Sequence, residues 1–150
     1  LRSELLKLEL SKVSLEEQTF RGGSKTDAGK DRIVPIHHLI YPLVEKRYRE
    51  AERLNSPRLF NIQTFVEGDF SFIYYELYAR QFKVIINRLA LDPRHHTHDC
   101  RKTFVTMAKR ANVDEYAIKR IIGHQIADLT ERVYTDRSID WLRSEIEKIR

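Results

Sequence analysis

The chain has 150 residues, 41% apolar and 33% charged, which suits one globular domain with its own core. Its formal net charge is +5 and its pI about 9.4, so an acidic partner is favoured, the alternative being a lysine-rich solvated surface. Cys100 is the only cysteine, which excludes a disulfide framework and a thiolate metal cage; no apolar run approaches membrane-spanning length, and no signal-peptide pattern opens the chain.

Leu1, Leu5, Leu6 and Leu8 predict a short leucine-burying helix with Arg2 and Glu4 near its start. That element has no lead-in, so the chain reads as a fragment of a larger one. Leu8 to Val13 alternates apolar and polar residues and fits either more helix or a first strand. Thr19-Phe20-Arg21 and Arg32-Ile33-Val34-Pro35-Ile36 are strand candidates, separated by the breakers Gly22-Gly23 and Asp27-Ala28-Gly29. They read as a β-hairpin whose tip carries Lys25 and Lys30. Pro35 ends the second strand. His37 to Leu54 is then a long amphipathic helix with Ile40, Leu43, Val44 and Tyr48 on one side, broken by Asn55-Ser56-Pro57. An irregular connection follows, with Leu59-Phe60-Asn61 and Gly68-Asp69. From Phe70 to about Leu91 the spacing of Phe72, Tyr75, Leu77, Phe82, Ile85, Ile86 and Leu89 is helical, and this longest apolar stripe is expected to be core. Asp92-Pro93 ends it.

The next stretch, His98-Asp99-Cys100-Arg101, opens a central helix over Asp99 to Ala111, with Asp99 or Thr97 as its expected cap and Asn112 suited to its C-terminus. His98 and Arg101 are three apart and share a helix face. A histidine and an arginine together at a helix N-terminus suit an anionic phosphate. Asp114 caps a following helix, Glu115 to Ile122, which stops at Gly123-His124. A short helix from Leu129 to Tyr134 comes next. Ile139, Trp141, Leu142, Ile146 and Ile149 form an amphipathic C-terminal helix. A histidine, an arginine, a second histidine and a tyrosine in this order suggest phosphoryl chemistry with a tyrosine nucleophile. The predicted fold class is α+β and mostly helical, with helices around a small antiparallel sheet.

The order Arg2-Ser3-Glu4-Leu5, Ser24-Lys25-Thr26, His98-Asp99-Cys100-Arg101, Gly123-His124 and Tyr134 resembles the catalytic domain of tyrosine recombinases, the phage and conjugative-transposon integrase family. The resemblance covers essentially the whole chain. The H-x-x-R, G-H and tyrosine set at this spacing is its specific part. It implies the DNA breaking-rejoining fold and strand cleavage and rejoining without metal or cofactor. It implies N-terminal DNA-binding domains outside this chain, a double-stranded DNA partner, four protomers in synapsis, a C-terminal helix that docks on a neighbour, and a cytoplasmic, bacterial setting on a chromosome or mobile element. The amphipathic Ile139 to Ile149 segment fits that docking, and its apolar face fits packing in cis equally well. Arg101 matches the family's second arginine, His98 its partner histidine, His124 the histidine-or-tryptophan position, Lys25 the hairpin lysine, Tyr134 the nucleophile and Arg2 the first arginine. One departure stands out. The family spaces the first arginine and its glutamate as R-x-x-E after a glycine, whereas this chain has Arg2-x-Glu4.

The residue types suit the chemistry on their own terms. Charge building on an attacked phosphodiester is balanced by arginines, whose fork matches two phosphate oxygens. A tyrosine hydroxyl with an ordinary pKa of about 10 needs a base or a positive field to attack at neutral pH, and a histidine supplies one. The departing deoxyribose oxygen needs a proton, which a lysine delivers. Each residue also has a plainer reading. Arg101 would pair with Asp99 or Glu115, and His124 would cap a helix. Tyr134 would be a core aromatic, and Lys25 a solvated tip. His98 with His95, His96 and Cys100 would form a metal site of no usual zinc spacing. Lys102, Lys109, Arg110, Lys119 and Arg120 would contact DNA phosphates or form a solvated face. Two rival functions remain: a type IB topoisomerase that relaxes DNA, and a helical DNA-binding module without cleavage.

Overall fold

The computed structural model describes residues 4–23, 31–61, 73–124 and 138–150. Arg2, Lys25 and Tyr134 lie outside the described residues, as do Gly68-Asp69, Phe70, Phe72 and the predicted helix from Leu129 to Tyr134.

Three short strands form one antiparallel sheet in the order β1 (Val13–Ser14), β2 (Thr19–Gly22), β3 (Arg32–Pro35). The hairpin expected from the glycine-rich breakers is the β2–β3 pair, with Phe20 opposite Val34 and Gly22 opposite Arg32. The alternating stretch before it resolves into a 3-10 turn, Leu10–Lys12, that feeds β1. Pro35 closes β3, an edge strand, where the missing N–H is tolerated.

The first long helix, α1 (Tyr41–Arg53), starts later than its apolar spacing suggests. His37 to Ile40 is a turn instead, with the Ile40 N–H donating to the His37 carbonyl at 3.0 Å, and Pro42 sits in the first helical turn. Only Ala51 of α1 is buried. Past the helix the chain doubles back on the first segment, the Leu10 N–H donating to the Pro57 carbonyl at 2.9 Å and the Leu59 N–H to the Leu8 carbonyl at 3.0 Å.

The second long helix, α2 (Tyr75–Arg88), corrects an expectation. Its stripe was predicted to be core, yet only Ile86 is buried, while Ile85 and Leu89 are 52% and 62% exposed. Spacing reveals that a helix has an apolar face; it does not say what covers that face. Among the described residues α2 has only slight contact with other elements.

The core is built by the C-terminal half. Helices α3 (Asp99–Arg110), α4 (Glu115–Ile122) and α5 (Ile139–Ile146) bury Ala108, Ala117, Ile118, Ile121, Ile122, Leu142 and Ile146 together, with Val34 of β3 packed against them. The apolar face of α5 is thus packed in cis, with Leu142 fully buried. Polar ties hold the same helix on three sides. Glu145 accepts the Asp114 N–H at 2.8 Å, Arg143 donates to the Glu17 carbonyl at 2.5 Å, and just past α5 Glu147 accepts the His38 N–H at 2.9 Å. His37 completes the clasp. Its Nδ1 accepts the Leu39 N–H at 3.1 Å, so the proton sits on Nε2, which donates to the Ile149 carbonyl at 2.9 Å. No helix among the described residues is long and apolar enough to cross a membrane.

Candidate active site

The site is organised by the two ends of α4. At its start Asp114 has an extended ψ and its carboxylate accepts the N–H groups of Tyr116 at 2.9 Å and Ala117 at 3.3 Å, the predicted N-cap. Five of the eight residues that follow are buried, which locks the helix against α3 and α5. At its end Gly123 takes a left-handed φ of +69°, which glycine adopts without a Cβ penalty. The His124 N–H then reaches the Lys119 carbonyl at 2.9 Å, and the Gly123 N–H the Arg120 carbonyl at 3.2 Å, the paired bonds of a Schellman motif.

A helix end leaves four carbonyls without helical partners. Lys119 and Arg120 are satisfied by that motif. The other two are satisfied by arginines from elsewhere. Arg101 Nη2, from α3, donates to the Ile122 carbonyl, and Arg32 Nε, from β3, donates to the Ile121 carbonyl at 3.0 Å. Arg32 also pairs through Nη1 with Glu4 Oε1 at 2.9 Å. Two guanidinium groups therefore converge on the negative end of the α4 dipole, next to the turn that leads into His124. Burial lowers the pKa of Arg101 below its ordinary value, and the neighbouring charge of Arg32 lowers it further, while Glu4 opposes both. Arg101 stays charged at any physiological pH.

The start of α3 differs from expectation. Neither Thr97 nor Asp99 caps it; His98 occupies the cap position with a helical backbone and no side-chain cap bond. Asp99 is turned back instead. Its carboxylate accepts the His96 N–H at 3.1 Å, stands 3.4 Å from His95 Nδ1 and 3.3 Å from His96 Nδ1, and pairs with Lys102 at 3.4 Å. The His96 N–H is the main cause of an Asp99 pKa lowered to about 2. The carboxylate thereby fixes the turn from which exposed His98 projects.

Of the predicted site residues, the structure brings Arg101 to the turn that precedes His124, and His98 lies one helical turn before Arg101 at the exposed start of α3. The plainer partners for Arg101 are otherwise engaged, Glu115 with Lys119 at 3.1 Å and Asp99 with the cluster above. The glycine of Gly123-His124 does terminate the helix, as that reading expected, and this is what positions His124, whose side chain is exposed. Among the described residues His95, His96, His98 and Cys100 do not converge as metal ligands. Lys102, Lys109 and Arg110 lie exposed on α3, whereas Lys119 and Arg120 are half-buried on α4. Arg32 escaped the sequence reading because nothing local marks it; its partners are Glu4 and Ile121, both far along the chain.

Two guanidinium groups, partly withdrawn from water, thus meet at the end of α4 just before exposed His124, and exposed His98 lies one turn before Arg101 on α3; arginines and imidazoles are the side chains that suit an anion. The sequence model of the Phage integrase family matches residues 2–139. No curated protein sequence matches the chain. Among solved structures, the integrase from mycobacterium phage Brujita is similar in fold, with a TM-score of 0.73 at 17% identity over 99% of this chain. The chain spans less than half of that integrase, 46% of its length. With the family match running over nearly its whole length, the chain belongs to the phage integrase family.

Proposed function

We propose that the chain is the catalytic domain of a tyrosine-type site-specific recombinase, one that cuts and rejoins DNA strands of a chromosome or mobile element through a 3′-phosphotyrosyl intermediate. The observation that supports this most is the bond from Arg101 to the Ile122 carbonyl. It sets the H-x-x-R face of α3 against the turn that leads into His124, joining two motifs that are far apart in sequence. In the proposed reaction the Tyr134 hydroxyl attacks the scissile phosphorus, its proton leaving with the help of His98. The P–O5′ bond breaks as the new phosphotyrosyl bond forms. Lys25 protonates the departing 5′ oxygen, and Arg2, Arg101 and His124 hold the phosphate oxygens as charge builds on them. A 5′-hydroxyl attacking the phosphotyrosyl bond reverses these steps and reseals the strand, so the bond energy is conserved and no cofactor is consumed. Double-stranded DNA is the partner, and four protomers assemble in synapsis. DNA-binding domains N-terminal to this one supply site recognition.

The test uses a pool of nicked duplexes randomised around the nick, so that the short downstream fragment bearing the new 5′-hydroxyl is lost on cleavage and the 3′-phosphotyrosyl adduct is trapped. The wild-type chain is expected to give a covalent protein–DNA band that survives denaturation and disappears with Tyr134→Phe. Absence of any adduct, with DNA still bound, would favour a non-cleaving binding module. Relaxation of supercoiled plasmid without strand exchange between sites would favour the topoisomerase.

A further inference from the structure

We propose that Arg32 is a positioning residue for this reaction: one guanidinium that ties together the segment of Arg2, the hairpin of Lys25 and the turn of His124. The inference rests on the recombinase reading. Arg32 opens β3, the strand that completes the hairpin in whose connection Lys25 lies. Through Nη1 it holds Glu4, two residues from Arg2, at 2.9 Å. Through Nε it holds the Ile121 carbonyl at 3.0 Å, beside the Ile122 carbonyl that Arg101 takes.

The fit at the turn is close. A Cβ built on Gly123 would lie 3.1 Å from Arg32 Nη1 and 3.3 Å from its Cζ, so the guanidinium packs directly on the glycine that turns the chain into His124. The Arg32 side chain is 15% exposed and that of Glu4 23%, so both groups have given up most of their water for these contacts. An ion pair so withdrawn from solvent is strongly orienting when intact and costly when one partner is removed. Only a planar fork with donors on separate edges reaches a carboxylate and a carbonyl in different directions; a lysine ammonium is a point charge and satisfies one of them. Arg32 therefore does for the second-last carbonyl of α4 what Arg101 does for the last. Without it, the His124 turn, the hairpin and the Glu4 segment lose their common anchor, and the phosphate-binding groups lose their mutual spacing.

The experiment measures single-turnover cleavage and DNA affinity separately, using the duplex recovered most often from the nicked pool, at a temperature where melts show each variant folded. Arg32→Gln is expected to slow cleavage at saturating DNA about tenfold to a hundredfold, the scale of a small misplacement of catalytic groups, with a Kd within about threefold of wild type. Arg32→Lys is expected to keep the affinity and remain slow. Glu4→Gln is expected to slow cleavage less, and the double variant to be no slower than Arg32→Gln alone, because both act through one contact. Wild-type cleavage with Arg32→Gln within twofold of it would overturn the positioning role, as would rate and affinity falling by the same factor or full additivity with Glu4→Gln. If the wild-type chain forms no adduct while binding DNA, the recombinase reading itself fails, and this role falls with it.

Discussion

Replacing Glu145 by alanine probes how α5 holds the helix that carries the His124 turn. Glu145 is buried, with 7% of its surface exposed. It accepts the Asp114 N–H at 2.8 Å and both its oxygens stand 2.7 Å from Lys148 Nζ. Asp114 is itself the N-cap of α4, so one carboxylate on α5 orients the cap of another helix. Alanine leaves the Asp114 N–H without its charged acceptor in a partly buried position, and a hydrogen bond to a charged group contributes about 1.5–3 kcal/mol. Lys148, whose side chain is 42% exposed, recovers water, and the loss of its pair adds only about 0–1 kcal/mol. For a domain of this size each kcal/mol moves Tm by about 2–4 °C, so the 1.5–3 kcal/mol of the lost hydrogen bond alone predicts a fall of roughly 3–12 °C. Glu145→Gln keeps an acceptor for the amide and is expected to lose less than half as much. Urea unfolding and calorimetry on the three proteins give the comparison. Equal losses for the two variants, or an alanine cost below about 0.5 kcal/mol, the range of ordinary surface changes, would refute the claim that this contact orients α4.

Two further outcomes are expected. Because Asp99 is held at about 2, chiefly by the His96 N–H, its contribution to stability is full above the unfolded carboxylate value and is lost as pH falls toward 2; Asp99→Asn flattens that acid limb, and a carboxylate titration by NMR with a midpoint near an ordinary 4 would contradict it. Lys102, one turn beyond His98 and with a side chain 72% exposed, is expected to contact a DNA phosphate, so Lys102→Ala lowers the slope of log affinity against log salt by about one; an unchanged slope marks it as a solvated residue.

What the sequence made legible was what local chemistry dictates. The Asp114 cap, the stop at Gly123 and the end of β3 at Pro35 each depend on a residue's own local chemistry, a carboxylate for the cap and backbone preferences for the glycine and proline, and all are found where expected. Arg101, which the H-x-x-R spacing singled out, bonds the Ile122 carbonyl just before the Gly123-His124 turn, a contact that spacing does not give. Relations across the chain were not legible. The apolar stripe of α2 has helical period but little over it among the described residues. Asp99 has the chemistry of a cap, but a bond back to His96 and nearby imidazoles outcompeted that role. Arg32 reads as an ordinary strand residue until folding brings Glu4 and Ile121 to its two edges. The choice between cis and trans packing of the C-terminal helix was open in the sequence, and buried Leu142 with the ties through Glu145 and Glu147 places it in cis here.

The arrest of α4 at both ends makes it a ruler. Eight residues at 1.5 Å each set a length of roughly 12 Å between the Asp114 cap and the two carbonyls claimed by arginines. Inserting or deleting one residue would rotate everything beyond it by about 100°, offering Arg32 and Arg101 the wrong carbonyls and turning His124 away. The length of this helix is therefore not free to drift as a surface helix's is. Where such a chain diverges, substitutions at the outward positions of α4 are tolerable so long as its buried face, its residue count, its capping aspartate and its terminal glycine are kept.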